Sequence, residues 1–249
     1  MTPNPDAPRP VALVTGSTSG IGAAVARRLA DDGYAVIVHG RSADRGGALA
    51  RELDGAFVRA DLADDAERVR LVREALAAYG RLDVLVNNAG LSRVIAHDDL
   101  DAATPEVWHE LTEVNVVAPF RLVAEARPAL LAAASRGRAG CVVNISSHAG
   151  VRPKGASIPY AATKAALNHT TRLLARTLAP AIRVNAVAPG LVHTPLTADW
   201  TDAQELWREH APMRRAARPE DVADTVAALV ASDYLTGEIV VLDGGMSLT

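Results

Sequence analysis

The feature that most restricts the fold of this chain is a regular alternation of two kinds of segment. Short β-branched runs, VALVT (11–15), AVIVH (35–39), AFVRA (56–60), LDVLVN (82–87), GCVVNIS (140–146), IRVNAVA (182–188) and EIVVLD (238–243), are separated by longer runs rich in Ala, Leu and Arg. The longer runs carry apolar residues at helical period, and helices are expected over 20–32, 43–53, 64–79, 104–134, 159–178 and 219–232, with turn glycines at Gly33, Gly55, Gly80 and Gly140. Strand and helix in strict alternation is the pattern of repeated βα units, so an α/β fold with a doubly wound parallel sheet is expected. Ligands of such sheets sit at the carboxyl ends of the strands, near the point where strand order reverses. One stretch breaks the pattern. Residues 189–218 hold Trp200 and Trp207, have little sheet character and are expected to be an irregular substrate-loop region whose tryptophans either cover an apolar substrate or pack against a partner subunit.

At 249 residues and 49% hydrophobic content the chain can bury one large core, so residues 10–249 are expected to form a single domain. Residues 1–9, with three prolines and no apolar segment, read as a loose tail. Net charge is −3, with acids and bases interspersed. No basic stripe suits nucleic acid, and no apolar run approaches the roughly 20 residues of a membrane span. The lone cysteine, Cys141, lies in an apolar run and reads as a core residue of a cytoplasmic protein. The seven histidines show no ligand spacing, and no metal site is expected.

Directly after the first strand comes TGSTSGIG, with Gly16, Gly20 and Gly22 opening a helix. Glycines there let the backbone turn tightly and approach a pyrophosphate, whose charge is met by unpaired N–H groups of the helix start. The spacing G-x3-G-x-G differs from the common G-x-G-x-x-G. An acid at the end of the second strand would accept from the ribose hydroxyls of NAD. Here that strand ends in Gly40, followed by Arg41, whose guanidinium suits a 2′-phosphate, so NADP is expected.

A second oddity lies further on. The chain has twenty-four arginines and only two lysines, Lys154 and Lys164, and Lys164 falls four residues after Tyr160 in YAATK. Four tyrosines and this scarcity of lysine give about 0.03 chance Y-x3-K pairs. On a helix the two side chains share a face. A free phenol has a pKa of about 10, and using it as a base near pH 8 needs a shift worth roughly 3 kcal/mol, which a neighbouring ammonium is expected to supply.

With TGSTSGIG, Asp61-Leu62, NNAG (87–90), Asn115, ISS (145–147), YAATK and PGLVHT (189–194) in this order, the chain resembles the compact branch of the short-chain dehydrogenase/reductase family over residues 10–247. The resemblance implies a Rossmann fold with strand order 3-2-1-4-5-6-7, hydride transfer between a nicotinamide and an alcohol or carbonyl, and a homotetramer or homodimer. It also implies a catalytic tetrad of Asn115, Ser147, Tyr160 and Lys164, Ser147 standing thirteen positions before Tyr160. Cofactor contacts fall on Gly16, Ser17, Ser19, Gly20, Ile21, Gly22, Arg41, Ser42, Asp61, Leu62, Asn88, Ala89, Gly90, Tyr160, Lys164, Pro189, Gly190, Val192 and Thr194. Substrate contacts fall on Ser147, His148 and Tyr160.

In this reading Tyr160 protonates the substrate oxygen, Ser147 donates to it, and Lys164 stabilises the phenolate and reaches the nicotinamide ribose. Asn115, a poor helix former in mid-helix, helps hold a water beside Lys164. The expected activity is NADPH-dependent reduction of a small-molecule ketone to a secondary alcohol. The alternatives are a 3-oxoacyl-(acyl-carrier-protein) reductase, an NAD-linked alcohol dehydrogenase, and a nucleotide-sensing protein without chemistry. The short turn LAPAIRVN, with Pro180 where related chains often have a longer turn with a basic residue that could meet an acidic carrier, tells mildly against the first of these.

Overall fold

The computed structural model describes residues 9–249, so the expected tail, apart from Arg9, lies outside the described residues. Seven strands, β1 (Val11–Val14), β2 (Ala35–Gly40), β3 (Ala56–Arg59), β4 (Val84–Asn87), β5 (Gly140–Ile145), β6 (Ile182–Pro189) and β7 (Ile239–Leu242), form one sheet in the order 3-2-1-4-5-6-7. Every pairing is parallel. The doubly wound sheet expected from the alternation is therefore present.

The helices are α1 (Gly20–Asp31), α2 (Ala43–Glu52), α3 (Asp65–Tyr79), α4 (Pro105–Thr112), α5 (Ala118–Ala134), α6 (Ile158–Leu178), α7 (Thr201–His210) and α8 (Pro219–Ala231). Strand side chains alternate between two cores. Ala12 and Val14 of β1 pack with α1, α2 and α8, while Val11 and Leu13 pack with α3, α5 and α6. Both faces of a central strand are thus apolar, which is why these strands read as unbroken hydrophobic runs. Cys141 is buried in the first core. No helix among the described residues is long and apolar enough to cross a membrane.

Two elements differ from expectation. The helix expected over 104–134 contains a π-turn, Glu113–Val117, between α4 and α5. The segment expected to be irregular over 189–218 contains α7. None of the ten residues of α7 is buried, and Trp200 at its cap position makes no side-chain capping bond, so the usual start signal is missing. Strand order reverses at β1, which pairs with β2 on one side and β4 on the other. The carboxyl ends of β1 and β4 therefore bound the crevice in which a ligand of this fold sits.

Candidate active site

At the end of β1 the chain turns through Gly16 and Gly20, both in the left-handed region at φ +62 and +54. That conformation favours glycine. A Cβ on Gly22 would stand 2.4 Å from both the Asn88 amide nitrogen and the Gly16 carbonyl oxygen. One on Gly20 would lie 3.3 Å from Thr194. The loop is held from β4: Asn88 Nδ2 donates to the carbonyls of Thr15 (2.8 Å) and Gly16 (3.1 Å), and Thr15 Oγ1 accepts from the backbone N–H groups of Asn88 and Ala89. Ser19 is the cap residue of α1, yet its side chain makes no capping bond and the first turn holds no acid. By contrast Ser42, Asp64 and Ser157 cap α2, α3 and α6. A glycine loop with a bare, uncapped helix start fits a pyrophosphate, so the residues present suit a dinucleotide.

Several of the expected cofactor contacts lie deeper than their sequence position suggests. Ser17 is fully buried, its hydroxyl donating to Val14 O at 2.8 Å and accepting from His39 N at 3.0 Å. Leu62 belongs to the second core, and Ile21 packs against the first. Asp61 is exposed, with Oδ1 accepting from Ala63 N at 3.0 Å. At the end of β2 the missing acid has a steric cause: a Cβ on Gly40 would come within 2.5 Å of Thr18 Cγ2, so the loop side chain occupies the place of an acid. Arg41 is exposed beside it, and Ser42 caps α2 by accepting from Arg45 N. At the other end, Gly190 N donates to Leu242 O, Pro189 and Val192 are buried, and Thr194 N donates to Thr197 Oγ1 at 3.2 Å.

The chemistry-bearing side chains meet beyond β4 and β5. Ser157 caps α6 by accepting from Tyr160 N, which sets Tyr160 in the first turn and Lys164 one turn on. Lys164 is 4% exposed; its ammonium donates to Ile145 O at 3.0 Å and stands 5.8 Å from the centre of the Tyr160 ring. Burial lowers its pKa to about 8. Burial raises that of Tyr160, partly opposed by a hydrogen bond with Ser147. The expected depression of the phenol by Lys164 is thus corrected: desolvation dominates, and the Lys164 amine is tied to the Ile145 carbonyl and only partly charged at pH 8. Ser146 is buried, its hydroxyl donating to Lys164 O, whereas Ser147 is half-buried and turned to the phenol.

Asn115 lies in the π-turn, and the extra backbone residue turns its side chain inward. Its Oδ1 accepts from Leu91 N at 2.8 Å, and its Nδ2 donates to Leu91 O (2.9 Å) and Thr163 Oγ1 (3.1 Å). A Cβ on Gly90 would lie 3.3 Å from both Asn115 Oδ1 and Lys164 Nζ. Glycine therefore leaves open the space between them.

His148, expected to face a substrate, is directed elsewhere. Its Nε2 contacts Ser247 Oγ at 3.0 Å and Asp243 at 3.5 Å, and its ring meets Trp207 edge-on at 6.2 Å. Burial lowers its pKa, so the neutral ring is favoured. Trp207 also fills the space over Gly190, where a Cβ would come within 2.9 Å of it. Helix α7 is thereby held against the strand ends by one aromatic side chain.

Sequence reasoning passed over two buried groups that shape the site. His39 accepts from Gly16 N at Nδ1 (3.0 Å) and reaches Ala60 O with Nε2 (3.2 Å), fixing the tautomer with its proton on Nε2. Burial lowers its pKa to about 4, which keeps it neutral. Arg68, 1% exposed, donates to Leu62 O at 2.7 Å and pairs with Glu113 at the start of the π-turn. It ties the loop after β3 to the element carrying Asn115. Neither residue has a spacing signal, since each works through a contact distant in sequence.

Comparison with known proteins agrees with this architecture. The family model described as enoyl-(acyl carrier protein) reductase matches residues 16–247. A Streptomyces violaceoruber protein named for ketoacyl reductase 2 of the granaticin polyketide synthase is 51% identical over 249 residues, covering 98% of each chain. The 3-ketoacyl-(acyl-carrier-protein) reductase of Brucella melitensis, solved with NADH, is 32% identical with a TM-score of 0.88, covering 96% of this chain and 98% of that one. The Pseudomonas aeruginosa RhlG/NADP complex is 33% identical with a TM-score of 0.88, covering 95% and 96%. The chain belongs to the short-chain dehydrogenase/reductase family of nicotinamide-dependent oxidoreductases.

Proposed function

We propose that this protein reduces a ketone to a secondary alcohol with NADPH. The observation that carries the reading is the meeting of Ser147, Tyr160 and Lys164 at the strand ends, beside a glycine loop suited to a dinucleotide. Bound NADPH supplies the hydride. As negative charge grows on the substrate oxygen, Tyr160 gives it a proton and Ser147 donates a hydrogen bond to the same atom. The raised pKa of Tyr160 keeps the phenol protonated near neutrality, the state that reduction requires. Lys164, with a pKa of about 8, can pass a proton toward the phenol, and Asn115, bonded to both backbone groups of Leu91, fixes the loop whose Gly90 lies against the ammonium. Gly40 and Arg41 support NADP over NAD, and relatives solved with either cofactor leave this choice to the chain's own residues.

A second reading concerns the substrate. The names of the Streptomyces and Brucella relatives favour a β-ketoacyl group over a free ketone. A panel of cyclic ketones, β-ketoacyl thioesters and enoyl thioesters, assayed with NADPH and NADH, separates these readings. Reduction of ketone carbonyls with NADPH is expected. Turnover of the enoyl substrate alone, or equal use of NADH, would contradict the proposal, and cofactor binding without turnover would favour a sensing role.

Self-association belongs to the same proposal. Val117, Phe120 and Leu131 recur at helical spacing along the π-turn and α5 and are exposed, as is Trp108 on α4. Burying this stripe in a homotetramer is the expected use, and light scattering of Phe120→Asp should report smaller particles than the wild type.

A further inference from the structure

We propose that Arg59, at the end of β3, is a second arm of the 2′-phosphate site, so that cofactor choice is set by Arg41 and Arg59 together. The proposal rests on the reading of the cofactor as NADP. Strand register puts Gly40 directly opposite Arg59, so Arg41 and Arg59 leave adjacent strand ends side by side. Both line a cavity of about 280 Å³ with Asp61, Glu67 and Arg70.

The charges in this cavity are not equivalent. Arg70 is largely committed: it donates to Glu67 and to Glu74 at 2.9 Å and to the Arg59 carbonyl at 2.7 Å. Glu67 is correspondingly held below its usual pKa, chiefly by its hydrogen bond from Arg70 and with a smaller coulombic pull from Arg59. Asp61 is turned to its own loop by Ala63 N. The guanidinium groups of Arg41 and Arg59 have no hydrogen-bond or ion-pair partner among the described residues. Glu67 is thus held by Arg70, and the guanidinium groups of Arg41 and Arg59 face the cavity with their hydrogen-bond donors unspent. Two such forks on neighbouring strands suit a dianion with three acceptor oxygens, which also relieves their mutual repulsion. The Arg70 bond to Arg59 O anchors the backbone from which the second fork extends.

A guanidinium here could instead stack on the adenine, and that role would serve NAD and NADP alike. Binding of fragments separates the two. The dissociation constants of 2′,5′-ADP and 5′-AMP, measured by calorimetry on the full chain, read the phosphate contact without turnover. For Arg59→Ala we expect about a tenfold loss for 2′,5′-ADP and for NADPH, with 5′-AMP and NADH within about twofold, and partial recovery in Arg59→Lys. An unchanged affinity for 2′,5′-ADP, or an equal loss for both fragments, would overturn the proposal. If Arg41→Ala alone shows the selective loss, the NADP reading stands and Arg59 drops out. A wild type that binds both fragments equally would remove the NADP reading and this proposal with it. Arg59 is exposed, so an unchanged melting temperature is expected of its variants.

Discussion

The Lys164 ammonium donates to the Ile145 carbonyl at 3.0 Å, and the residue is only 4% exposed at the carboxyl end of the sheet. A cation so placed costs stability, and the sign of the effect is fixed by its lowered pKa. Between about 8 in the folded chain and 10.5 in the unfolded one, the unfolded state binds more protons. Stability tied to this group is therefore lowest below pH 8 and rises with pH through that window. Lys164→Met should stabilise the protein at pH 7 by about 1–3 kcal/mol, part of the gain being offset by the lost hydrogen bond. Urea unfolding at pH 7 and pH 10 checks this, and the gain should shrink at the higher pH.

His39 has the same linkage sign in a more acidic window. Its pKa is about 4 when folded against 6.5 when unfolded, so the unfolded state binds more protons between those values. Stability tied to it is complete above pH 6.5 and falls as pH drops toward 4, by up to about 3 kcal/mol. His39→Gln should lose stability at pH 7 and show a flatter acid limb in denaturant titrations.

Glu113 and Arg68 should respond unequally to truncation. Arg68 is buried, while the Glu113 side chain is 41% exposed. Removing the arginine leaves a carboxylate that water can reach. Removing the glutamate leaves a buried guanidinium with only the longer contact to Asp65, at 3.5 Å, as an ion pair, the costlier state. Glu113→Ala should cost about 3 kcal/mol and exceed Arg68→Met, as measured by chemical denaturation.

Gly22→Ala tests the nucleotide loop. Its new methyl would meet the Gly16 carbonyl, a backbone atom that cannot swing away, and would displace the Asn88 amide. A loss of about 1–3 kcal/mol in stability and at least tenfold in NADPH affinity is expected, read by thermal melting and fluorescence titration.

The parts of this molecule legible in sequence are those carried by local pattern. Alternating runs disclosed the sheet, because a strand buried on both faces must be apolar at successive positions, as in Val11–Val14. The spacing of Tyr160 and Lys164 survived folding because one helix holds both. What was hidden depends on contacts between distant residues. Asn115 looked like a weak point in a helix, and only the π-turn and its grip on Leu91 show why it is there. The depth of Ser17 and the diversion of His148 to Ser247 likewise follow from packing across the fold. The direction of the Tyr160 shift was misjudged for a related reason: charge proximity is visible in sequence, and desolvation is not.

The central claim is that Tyr160 delivers the proton. Its most direct test is steady-state ketone reduction by Tyr160→Phe alongside NADPH binding by the same variant. The account predicts a fall in kcat of at least 100-fold with NADPH affinity within about twofold of wild type. Turnover close to wild type in that variant would contradict it.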